Sequence, residues 1–197
     1  MRKTTLVFGK RFGFWLALAA ATTSPALRAG TFGSVIQLSG HISEIALDEP
    51  RSALYAANFT AGQVDVISTT SNRLVSSIRV GGQPSSLCLS PDGRYLLVTN
   101  YNNFGGPNLS SVVVINLDDL SRQNYAMSNP PLSCAFGADG AALIITTVDL
   151  VKFRSNGGTF EQVTTVASLA QLALPVPSPT FPREITRGSM AASGDGN

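Results

Sequence analysis

Between residues 35 and 166 apolar side chains come in short runs broken by Gly, Asn, Asp and Pro. Short apolar runs bounded by turn residues belong to β-strands, and no stretch beyond residue 30 carries helical spacing. The runs also repeat. "IALDEPRSALYAANF" (45 to 59) matches "LCLSPDGRYLLVTNY" (87 to 101) at an offset of 42, and "CLSPDGRYLLVTNY" matches "AFGADGAALIITTV" (135 to 148) at an offset of 47. Each copy is an apolar strand, a turn and a second strand ending at Asn58, Asn100 or Thr147. A third run follows at 63–68, 111–116 and 150–155, and a fourth at 73–80, 122–127 and 159–166.

Four short strands per copy, rich in Val, Ile and Thr, predict the up-and-down blades of an all-β propeller. The expected blades are 35–79, 80–127 and 128–166. The second carries about six extra residues in "NYNNFGGPNLSS", between its second and third strands, and repeat insertions map to loops, often on a binding face. In "SPDGR", Pro91 presets φ, Asp92 bonds local backbone and Gly93 accepts a positive φ. Residues 167–188 hold four prolines between 175 and 182 and read as an extended connector. "SMAASGDGN" (189 to 197) then falls on "SLCLSPDGR" (86 to 94) at an offset of 103, as the start of a fourth blade. Closed propellers have about four to eight blades, so the chain is expected to be the N-terminal fragment of a longer protein.

Residues 80–103, "VGGQPSSLCLSPDGRYLLVTNYNN", closely resemble the YVTN-type β-propeller repeat, and "SVVVINLDD" resembles its third strand. The first copy departs from the pattern at Glu49-Pro50-Arg51 and the third at Thr147. The resemblance covers about residues 35–166 and implies a propeller, seven-bladed in this family. It belongs with WD-repeat-like, lactonase-like and quinoprotein-like folds, and it does not imply one chemistry.

The net charge of +2 suggests nucleic acid until its source is located. Arg2, Lys3, Lys10, Arg11 and Arg28 flank "FGFWLALAAA" (12 to 21) and "ATTSPALRAG", the order of a signal peptide over residues 1–29. The apolar run is about half the roughly twenty residues that a membrane-crossing helix requires. Without residues 1–29, nine basic side chains face twelve acidic ones, a net charge of −3. An exported protein is therefore expected, periplasmic, extracellular or at the cell surface. No nucleic-acid partner is expected, and membrane contact is expected only through an uncleaved signal segment. Cys88 and Cys134 each sit in an apolar strand-like run and are expected as buried free thiols, with pairing the alternative that export permits.

Because a blade is a meander, its first and third connections share one face and its second connection shares the other with the blade-to-blade link. The Asp-Gly turns take one face. The lead-in segments 38–43, 81–86 and 129–133 take the other, with the insertion and the Asn-ended loops. That second face gathers His41, Glu44, Gln83, Asn100, Asn102, Asn103 and Asn108, the candidate binding residues. Asn58 and Asn100 share a repeat position, which also suits a turn-stabilising role. His41 is the only histidine, which excludes a multi-histidine metal site, and nothing near it completes a catalytic triad. No catalytic residue, metal or cofactor is expected. The leading expectation is a non-enzymatic propeller that binds a protein, glycan or small ligand through this loop face. The alternatives are a lactonase-like enzyme whose acid–base residues lie on further blades, and a surface adhesion protein with further domains.

Overall fold

The computed structural model describes residues 33, 35–101, 110–154, 159–165, 168 and 185–192. The expected signal segment 1–29, the insertion residues 102–109, most of the expected connector and residues 193–197 lie outside the described residues.

Twelve strands are described, in three four-stranded antiparallel sheets that each run in chain order. The first sheet holds β1 (Ile42–Asp48), β2 (Ala53–Asn58), β3 (Gln63–Ser68) and β4 (Arg73–Arg79). The second holds β5 (Pro84–Leu89), β6 (Tyr95–Asn100), β7 (Ser111–Asn116) and β8 (Arg122–Ala126). The third holds β9 (Pro131–Phe136), β10 (Ala142–Thr146), β11 (Asp149–Arg154) and β12 (Thr159–Thr165). The first strands lie side by side, β1 against β5 and β5 against β9. These are three consecutive propeller blades, and they do not close a ring.

Alternation along each strand sends side chains to two faces, and each facing pair of sheets fills one core. Tyr55, Ala57 and Val64 of the first sheet pack on Leu87, Leu96, Val98 and Ile115 of the second. Leu97, Val112 and Val114, from the opposite face of the second sheet, pack on Cys134, Ile144, Val151 and Phe153 of the third. The second sheet, buried on both sides, therefore reads as near-continuous hydrophobic runs such as "LLV" and "VVVI".

Polar contacts set the register between neighbouring sheets through equivalent positions. The Ser43 hydroxyl donates to the Pro84 carbonyl at 2.6 Å, and the Ser85 hydroxyl donates to that of Pro131 at 3.0 Å. One residue further on, Glu44 Oε2 accepts the Leu87 N–H at 3.2 Å and Ser86 Oγ accepts the Cys134 N–H at 3.2 Å. Ser133 Oγ continues the series by accepting the N–H of Met190 at 3.0 Å.

Two sequence expectations are corrected. Cys88 and Cys134 are not free thiols but are joined in a disulfide, with Cα atoms 6.0 Å apart. The reason is topological: β5 and β9 are neighbours, so cysteines 46 residues apart in sequence come within bonding reach. The position equivalent to Asn100 in the third sheet is Thr146, not Thr147. Asn100 pairs with Pro84 and Thr146 with Pro131, because the turn joining β9 to β10 is one residue shorter than that joining β5 to β6.

Asn58 builds the turn that follows β2. Asn58 is fully buried; its Oδ1 accepts the Ala61 N–H at 3.0 Å, and its Nδ2 donates to the Ser39 carbonyl at 2.6 Å and to Asp65 Oδ2 at 2.8 Å. Gly40 and Gly82 share a repeat position directly above Asn58 and Asn100. A Cβ there falls 2.6 Å from Asn58 Oδ1 or 2.9 Å from the Asn100 side chain, so only glycine fits without displacement.

The first sheet leaves the face away from the second sheet partly open. Ile45 is 59% and Leu47 52% exposed, whereas Leu87, at the position of Ile45, is 3% exposed beneath the first sheet.

Candidate functional site

The loops fall on two faces, as the meander requires. On the face of the Asp-Gly turns, charges engage one another. Arg51 donates to Asp118 Oδ1 at 2.7 Å, to the Gly93 carbonyl at 2.6 Å and to Asp48 Oδ2 at 3.1 Å. The hydrogen bond to Asp118, with a smaller one to Asp48, raises the Arg51 pKa. The Ser90 hydroxyl, at 2.6 Å, and then the Arg94 N–H hold the Asp92 carboxyl below its ordinary range. Lys152, at 2.7 Å, followed by the Ala141 N–H, does the same for Asp139. These acids and bases stabilise turns and ties between sheets.

The opposite face carries a cleft of about 480 Å³ at the ends of the first strands. Its floor comes from one repeat position in three successive sheets: Ser43, Ser85 and Leu132. Two aromatic walls, Phe59 and Tyr101, come from another repeat position, the residue after each buried Asn. Main-chain bonds place these walls identically, since the Phe59 N–H donates to the His41 carbonyl at 2.9 Å and the Tyr101 N–H to that of Gln83 at 2.8 Å. His41 stands at the rim with its ring edge-on to Phe59, centroids 6.3 Å apart. Thr186, Arg187 and Gly188 close the far side. That segment is held to the third sheet by the Ile185 N–H on the Thr147 carbonyl at 2.8 Å, together with the Met190 contact on Ser133.

Of the seven candidates read from sequence, His41 lines the cleft. Glu44 turns between the sheets to reach Leu87, and Gln83 is half-buried and contributes its main-chain carbonyl. Asn100 is 1% exposed, and its Nδ2 donates to the Val80 carbonyl at 3.1 Å and to Ser111 Oγ at 3.2 Å. Asn102, Asn103 and Asn108 lie outside the described residues. Sequence reasoning missed the aromatic pair, although "NF" and "NY" at equivalent positions were visible in the repeat. It also missed Arg187, which local pattern assigned to the connector.

The hydroxyls in the floor are already used. Ser43 donates to the Pro84 and Ala57 carbonyls, and Ser85 donates to those of Pro131 and Thr99. What the cleft offers a ligand is aromatic and aliphatic wall with an imidazole and a guanidinium at its edges. A volume of this size matches the range of small-molecule sites, about 300–1,000 Å³.

No family model and no curated protein matches the sequence. Solved structures do match the fold. Over 85% of this chain and 43% of the other, the fold is similar to Kuenenia stuttgartiensis hydrazine synthase, with a TM-score of 0.58 at 19% identity. The Cps50 (Swd1) β-propeller domain of Myceliophteria thermophila gives 0.54 at 15% identity, over 65% and 40% of the two chains. Virginiamycin B lyase from Staphylococcus aureus gives 0.52 at 14% identity, over 62% and 41%. The chain thus spans about two fifths of the length of each. At these identities the likeness establishes the β-propeller fold, which both enzymes and binding proteins use.

Proposed function

We propose that this β-propeller chain is an exported, non-enzymatic binding protein that meets a small ligand where the first strands of successive sheets end. One observation carries the reading: the cleft is built from equivalent positions of three sheets, Ser43, Ser85 and Leu132 beneath Phe59 and Tyr101. A rigid scaffold that brings the same positions to one concavity is the ordinary way a propeller presents a ligand site. Binding is favoured over catalysis because both floor hydroxyls near His41 are donors to main-chain carbonyls, which leaves neither aligned as a nucleophile. Export is supported by the Cys88–Cys134 disulfide, which persists in oxidising compartments, and by the signal-like order of residues 1–29. The YVTN-type assignment is supported by "SPDGRYLLVTN" in the second sheet.

A fragment library screened by saturation-transfer NMR against the full chain tests the site. Binders are expected to weaken about tenfold or more on Tyr101→Ala, the loss of an aromatic wall being worth roughly 1.5–3 kcal/mol. They are expected to be unaffected by Arg94→Ala on the opposite face. Binders that tolerate Tyr101→Ala and respond to Arg94→Ala would overturn the reading.

A further inference from the structure

Resting on that reading of the cleft, we infer that its ligand is an anion, a carboxylate or comparable group carried on a flat apolar body. The lining residues have one sign of charge. Arg187 is exposed at the far side and His41 at the near rim, and none of the described lining residues is acidic. Among the described residues Arg187 forms no ion pair, a condition it shares with Arg73, Arg79 and Arg122, and of these four it alone lines the cleft. On the His41 side, the nearest acidic side chain in sequence, Glu44, is turned inward onto the Leu87 N–H.

The placement matters because the chain beyond residue 29 has a net charge of −3, so its general field disfavours anions. A cleft whose described lining holds basic groups and no acidic one is a local exception on such a body. Guanidinium binds carboxylate through two parallel N–H donors, and the imidazole of His41 offers a further N–H from the near rim. The same cleft is lined by Phe59, Tyr101 and Leu132, an apolar surface that suits a planar ring.

The test titrates three probes of one shape and different charge, benzoate, benzyl alcohol and benzylamine, into the full chain at low ionic strength. Benzoate is expected to bind about tenfold tighter than benzyl alcohol, and benzylamine weakest, with the benzoate preference shrinking as salt is added. Arg187→Ala is expected to erase that preference, while Arg187→Lys retains part of it. Because Arg187 is exposed, its variants should keep the parent's far-UV spectrum and melting temperature, which are measured alongside. Equal binding of benzoate and benzyl alcohol in the cleft, or a benzoate preference that survives Arg187→Ala, overturns the anion inference and leaves the binding reading standing. If no probe binds in the cleft at millimolar concentration, both fall together.

Discussion

Replacing Cys88 and Cys134 together by alanine is expected to lower the unfolding free energy by about 4 kcal/mol, and the melting temperature by roughly 10 °C. The bridge closes a loop of 46 residues, and cross-linking a loop that long removes about that much freedom from the unfolded chain. Its place amplifies the effect. The two cysteines join β5 to β9, the pair of first strands on which the second and third sheets meet. Reduction of the parent protein should reproduce most of the loss, and denaturant titration with and without reductant measures it. A double variant as stable as the parent, in oxidising buffer, would mean that the bridge does not form.

Phe153→Ala is the second large effect, an expected loss of about 3–5 kcal/mol. The ring is 1% exposed and is the largest fully buried side chain among the described residues. It lies 5.2 Å from the Tyr125 ring on β8 and 5.0 Å from that of Phe160 on β12, so it couples the second sheet to the third at their outer strands. Truncation removes both aromatic contacts and leaves a cavity that strand backbones cannot collapse to fill. Val163→Ala, in the neighbouring outer strand but 52% exposed, serves as the control and should change stability by less than about 0.5 kcal/mol. Cys134 and Phe153 share one core, so the two large variants should not add when combined.

Most of the strand framework was legible because short apolar runs, β-branched residues and Gly or Asn punctuation all report local requirements. "QVDVIS" and "SVVVIN" coincide with β3 and β7, and the fourth runs of the copies agree with β4, β8 and β12 to within a residue. Features that depend on contact between sheets were not legible. Nothing local to Cys88 or Cys134 says that their strands are neighbours. The one-residue deletion in "GADGA" hid the equivalence of Thr146 with Asn100 until strand pairing fixed it. The cleft was partly legible. Meander logic put His41 on the face that carries the cleft, but it also selected Asn100 and Glu44, whose side chains bond buried backbone groups. Arg187 reaches the cleft only because residues 185–190 return to the third sheet, a long-range event no local pattern encodes.

A chemical-shift map of the full chain titrated with benzoate measures most directly where a ligand meets the molecule. Shifts centred on His41, Phe59, Tyr101, Leu132 and Arg187 are predicted. Shifts centred instead on the Asp92 and Asp139 turns of the opposite face would contradict the proposed site.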